Sequence, residues 1–276
     1  MLFRAMGEDG ISRFGYASST DGLHFDRQDY PVYEGNKRHE FESLGVEDPR
    51  IVKIDGLFYV VYTAVSIDPE GVVNPNWPEK VAKRIRVALA TTRDFKTFED
   101  QDVIVPNLNA KNASLFPMLV KGEYWLLYRT FQNETFFSHS INLVELSEPH
   151  IVFRERSGYW DSVRVGLGSP PIDSEVGWLI FYHGVDSFNT YRLGLLVLDH
   201  DNPTDVIYRS PEPILDPQES FEKFGFVPNV VFTCGAVEIE EEYYIYYGAA
   251  DMTIGVATIP KKQLLDEVKR SLGPKK

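Results

Sequence analysis

One phrase recurs along this chain and constrains its fold more than any other feature: an apolar strand, a tight turn carrying Gly or acidic residues, then an aromatic-rich strand ending in a tyrosine. It reads IVKIDGLFYVVYTA at 51–64, LFPMLVKGEYWLLYRT at 115–130, PPIDSEVGWLIFYHGV at 170–185 and VVFTCGAVEIEEEYYIYYGAAD at 230–251, with LFRA at 2–5 as the tail of a fifth copy. The marker aromatics Phe3, Tyr62, Tyr128, Tyr182 and Tyr247 stand 59, 66, 54 and 65 residues apart, so five units fill the 276 residues. A further strand with period-2 alternation follows each phrase: RFGYASSTDG, RIRVALATTRDF, FFSHSINL, YRLGLLVLDHDNP and TIGVATIPKK. Two hairpin strands, a third and room for a fourth make one antiparallel blade.

The expectation is an all-β chain, a single five-bladed β-propeller domain over 1–276. Its first blade is expected to be incomplete, because the chain opens directly in LFRA. KKQLLDEVKRSL (261–272) places Leu264, Leu265, Val268 and Leu272 on one side and predicts a short C-terminal helix, read as a terminal appendage. The Pro-rich segment 66–83, with Trp77, reads as a long loop able to overhang a central site.

Charge and composition exclude several classes. With 41 acidic and 28 basic residues the net charge is −13, which opposes attraction to a phosphate backbone, so nucleic acid is not an expected partner. No apolar run reaches the roughly 18 residues of a membrane span, and no leader pattern opens the chain, so a soluble, cytoplasmic protein is expected. Cys234 is the sole cysteine, which excludes an intramolecular disulfide or a cysteine-rich metal site. His24, His39, His139, His150, His183 and His200 lack metal-ligand spacing. GLGSPP (166–171) is no phosphate loop, since Pro170 and Pro171 would block the helix start, and it reads as a blade connection. Neither a metal nor an organic cofactor is expected.

Propeller ligands usually meet the ends of inner strands, so polar residues beside the repeat phrases are the candidates. In GVEDPRIV (45–52), Pro49 fixes the turn and puts Asp48 at the mouth of a strand; the bland alternative is a turn cap neutralised by Arg50. NAKNASLFP (109–117) places Lys111 and Asn112 at the next entrance. Arg4, Arg129 and His183 each follow the marker aromatic of their phrase. One such residue is ordinarily a structural partner, but a repeated placement around a ring would converge cationic groups beside a carboxylic acid, which suits chemistry on an anion.

Six strings, LFRAMGEDGISRFGYASSTDGLHF, VEDPRIV, KNASLFP, GLGSPPIDSEVGWLIFYHGV, VPNVVFTCGAV and YYGAAD, occur in an order that resembles glycoside hydrolase family 130 over roughly residues 2–260. The resemblance implies a five-bladed propeller acting on β-mannosides, most often an inverting phosphorylase releasing mannose 1-phosphate. It implies Asp48 as proton donor, with a raised pKa, and Lys111, Arg129 and His183 as phosphate-binding residues. It also implies Arg4 and Asp251 on the sugar side, and inorganic phosphate as co-substrate with a β-mannoside oligosaccharide. A homo-oligomer is plausible from the family.

Two features depart from the pattern. Asp173 stands where many phosphorylases carry a basic residue, which favours an inverting hydrolase with Asp173, Glu219 or Glu222 as base. Family members also begin some tens of residues earlier, which would leave part of the sugar site unformed. The alternatives are therefore an inverting β-mannosidase and a non-catalytic carbohydrate-binding propeller.

Overall fold

A computed structural model describes residues 1–35, 40–71, 81–131 and 134–273, without the side chains of 100 and 101. His39, Trp77 and the middle of the 66–83 segment lie outside the described residues. The chain divides into two compact units, residues 1–113 and 114–276. Among the described residues it forms five antiparallel sheets, the strand organisation of a five-bladed β-propeller, and one longer helix at the C-terminal end. That helix is not long and apolar enough to cross a membrane.

The first unit holds a three-stranded sheet, β1 (Leu2–Met6), β2 (Ser12–Ser18) and β3 (Asp26–Arg27), and a four-stranded sheet, β4 (Val46–Ile54), β5 (Leu57–Ile67), β6 (Lys83–Thr92) and β7 (Glu99–Val105). Its core gathers Phe14, Val46, Val60, Tyr62, Ala64, Ala88 and Ala90. The unit boundary falls inside β8 (Ala110–Leu115).

The second unit continues with β9 (Tyr124–Thr130), β10 (Thr135–Ser140) and β11 (His150–Phe153), in the sheet order β11-β10-β9-β8. Next come β12 (Arg164–Leu167), β13 (Ile172–Ser174), β14 (Gly177–Val185), β15 (Tyr191–Leu198) and β16 (Val206–Arg209). GLGSPP is not a connection between blades. It interrupts an inner strand, with β12 pairing one half of β14 and β13 the other, because Pro170 and Pro171 have no N–H to continue the ladder. The one-turn helix α1 (Ser220–Lys223) precedes the last sheet, β17 (Val231–Ile239), β18 (Glu242–Ala249) and β19 (Thr253–Pro260).

The predicted C-terminal helix is α2, Lys261–Leu272, and it is part of the core rather than an appendage. Leu264, Leu265 and Val268 are buried with Leu179, Leu195, Val197 and Ile245, while Leu272 stays 38% exposed.

Two devices explain the repeat phrase. The marker aromatic faces a small residue on the third strand: Phe3 opposite Gly15, Tyr62 opposite Ala88, Tyr182 opposite Gly194 and Tyr247 opposite Gly255. A Cβ at Gly15, Gly194 or Gly255 would come within 2.3–2.7 Å of the facing ring, so the ring lies flat across the backbone that a side chain would have covered. Tyr128 departs from this, stacking on Phe136 with centroids 6.1 Å apart.

The second device uses the hydroxyl. Tyr62 donates to Glu42 at 2.5 Å, Tyr182 to Asp161 at 2.8 Å and Tyr247 to Glu222 at 2.7 Å. Each carboxylate sits in the segment leading into the sheet, so the bond ties that connector to the second strand of the phrase. All three carboxylates are buried, and burial pushes all three phenols above the ordinary tyrosine range.

Candidate active site

The entry of β4 departs from regular strand geometry. Glu47 pairs with Thr63 and Arg50 with Val61, so three steps on β4 match two on β5 and one residue is extra. That bulge contains Asp48 and Pro49; proline cannot donate to the ladder, which is why pairing skips here. Asp48 has φ 54°, in the left-handed region that costs a residue with a Cβ of order 1–3 kcal/mol and that clusters at functional sites.

The Asp48 side chain keeps 14% exposure and its Oδ1 is 4.0 Å from Arg4 Nη1. Arg4 Nη2 lies 3.1 Å from Glu47 Oε1, and Arg4 Nε donates to Ser12 Oγ at 2.8 Å. Arg50 is buried and its Nη1 donates to the main-chain oxygen of Asp48 at 3.1 Å. Arg50 therefore braces the bulge through the backbone instead of neutralising the carboxylate as the bland reading expected. In the same unit Lys111 is half-buried on β8, next to Asn112, another left-handed residue with φ 51°.

In the second unit Arg129 is the penultimate residue of β9 and His183 lies on β14, both buried. Gly166 of β12 sits directly opposite His183 in the ladder. A Cβ there would meet His183 Cε1 at 2.6 Å, His183 Nε2 at 2.7 Å and Arg129 Cδ at 3.2 Å. The absent side chain of Gly166 is thus what lets the His183 imidazole and the Arg129 side chain approach the same point. The His183 ring also packs 4.7 Å from Phe232 and 6.2 Å from Tyr191, whose hydroxyl accepts from Arg164 Nη1 at 2.6 Å.

Asp251 is exposed in the turn after β18, with φ 55°, following Ala250 at φ 46°. A Cβ at Gly225 would lie 2.5 Å from Ala250 O and 2.8 Å from Met252 Cγ, so the chain at 224–226 packs on this turn. Exposed Phe224, Phe226 and Met252 lie on these two packed segments, beside and across from Asp251.

The three carboxylates considered as bases have other partners. Asp173 lies on β13 opposite Trp178, five residues along β14 from His183, and is 2.7 Å from His200 at the surface. Glu219 precedes α1 as its N-cap. Glu222 accepts Tyr247 on one oxygen and the main-chain N–H groups of Gln218 and Glu219 on the other, at 2.6 and 2.8 Å. Burial raises the Glu222 pKa, but these bonds and Lys223 outweigh it, and the carboxyl sits below its ordinary value.

Sequence reasoning missed Glu47, Gly166 and Arg164. Glu47 lay in view beside Asp48, but nothing in one dimension shows that neighbouring residues on a strand reach one cation. Gly166 was legible only as part of a Gly-Pro punctuation.

The family model described as β-1,4-mannooligosaccharide phosphorylase matches residues 1–270. The chain is 39% identical over 254 residues to 1,2-β-oligomannan phosphorylase of Thermoanaerobacter sp. (strain X514), covering 92% of this chain and 80% of that protein. It is 41% identical to β-1,2-mannobiose phosphorylase of the same organism, with 92% and 79% covered. The solved β-1,2-mannobiose phosphorylase from Listeria innocua superposes with a TM-score of 0.82 at 31% identity, covering 94% of this chain and 69% of that one. The repeat, the five sheets and these matches agree, and the chain belongs to glycoside hydrolase family 130.

Proposed function

We propose that this protein phosphorolyses β-mannosides with inversion, converting a β-manno-oligosaccharide and phosphate into mannose 1-phosphate and a shortened acceptor. Phosphate attacks the anomeric carbon from the face opposite the leaving group, the bond from that carbon to the glycosidic oxygen breaks, and the oxygen leaves with a proton that originates on Asp48. Arg129 and His183 bind phosphate, and Lys111 contributes a further cation. Arg4 and Asp251 serve the sugar. No metal or organic cofactor enters this reading, because phosphate is already a nucleophile and needs no catalytic base.

The observation that carries the reading is the Asp48 carboxylate set on a left-handed backbone turn in a bulge that Arg50 braces through the main chain, with Arg4 alongside. The hydrolase alternative draws less support, since Glu222 has both oxygens engaged and Asp173 is paired with His200. We assign the substrate to the β-1,2-linked class, the linkage named for the relatives at 39% and 41% identity. A cytoplasmic setting and a homo-oligomer complete the reading, the latter open to size-exclusion chromatography with light scattering.

The test is incubation with β-1,2- and β-1,4-mannobiose, with and without phosphate, assaying mannose and mannose 1-phosphate separately. The expected result is mannose 1-phosphate from the β-1,2 substrate, only with phosphate, and lost in Asp48→Asn. Free mannose released regardless of phosphate would replace the phosphorylase with a hydrolase, and no product from any donor would favour a binding propeller.

A further inference from the structure

We propose that Glu47 is a positioning residue that sets the pH range over which Asp48 keeps its proton, by taking up the charge of Arg4; this rests on the reading of Asp48 as the acid. A proton donor must be protonated when substrate is bound, and a cation within about 4–6 Å favours the ionised carboxylate. Arg4 Nη1, 4.0 Å from Asp48 Oδ1, acts in that unwanted direction. Glu47 counters it from the same guanidinium, at the shorter distance of 3.1 Å.

The arrangement depends on the bulge. Consecutive side chains of a regular strand point to opposite faces, so neighbours such as Glu47 and Asp48 should not reach one cation. The extra residue between Glu47 and Arg50, with the left-handed turn at Asp48, brings both carboxylates to Arg4. Ser12 of β2 fixes the remaining edge of the guanidinium through Nε. Arg4 from β1 and Glu47 and Arg50 from β4 are charged groups set around Asp48. Arg50 engages the main-chain oxygen, and the residue opposite Glu47 on β5 is the neutral Thr63.

The experiment compares pH profiles of kcat/KM for phosphorolysis in the wild type, Glu47→Gln, Glu47→Asp and the double variant Arg4→Gln/Glu47→Gln. Activity that needs a protonated acid falls as pH rises, and Glu47→Gln is expected to move that alkaline limb down by about one pH unit. Removing the cation as well should return the limb toward its wild-type position, at lower absolute activity, and Glu47→Asp, which keeps the charge, should hold it. A Glu47→Gln profile scaled down without displacement, or a double variant displaced as far as the single one, would overturn the proposal. An active Asp48→Asn would instead remove the acid assignment beneath it, a result read on a different variant and hence separable.

Discussion

Replacing Tyr247 by Phe deletes one oxygen and leaves the rest of the ring, including its cover over Gly255, in place. What is lost is the donor to Glu222, a residue only 3% exposed. Water cannot readily replace that donor, and a buried charged acceptor deprived of one bond costs about 1.5–2 kcal/mol. For a chain of this size that lowers the melting temperature by roughly 3–8 °C. The pH dependence follows from Glu222. Its folded pKa lies below the ordinary 4.5, so the stabilisation it carries is complete above that pH and is lost as pH falls through the lowered folded value. Tyr247 contributes to that lowering, so the gap between wild type and Tyr247→Phe is predicted to be full near neutrality and to narrow in acid. Differential scanning fluorimetry across pH measures both. A gap that widens in acid would refute the argument, as would a Tyr247→Phe variant that melts with the wild type at neutral pH.

Other consequences can be checked independently. Gly194→Ala places a Cβ 2.6 Å from the Trp160 ring and 2.7 Å from Tyr182, and should destabilise by about 1–3 kcal/mol, read as a fall in melting temperature. Gly166→Ala drives a methyl into His183 and toward Arg129, so the KM for phosphate should rise several-fold; an unchanged phosphate KM would separate this pair from the anion.

The aromatic-rich phrases were legible because a blade repeats, and a repeat multiplies a signal too weak in any single strand. Their partner residues were less visible. RFGY, RLGL and TIGV each carry the glycine that faces a marker ring, but a glycine inside a strand pattern reads as a defect until the facing ring is known. Glu42, Asp161 and Glu222 lie in irregular segments where no periodicity marks a buried acid, and Glu222 drew attention for chemistry when its oxygens are spent on Tyr247 and backbone. Asp48 drew attention because its proline neighbour announces a break in the strand. That Arg50 grips the main chain there, leaving the carboxylate to Arg4, required coordinates.

The tyrosine–carboxylate ties also say where this chain could be recombined with a relative. Each tie joins a connector to the sheet that follows it, so the exchangeable cassette begins upstream of Glu42, Asp161 or Glu222 and not at the first residue of the strand. A crossover placed between Glu222 and β17 would ask a foreign tyrosine to meet a resident acid, while one placed before α1 transfers both partners together. Chimeras cut on that side should express as folded protein more often than those cut at strand boundaries.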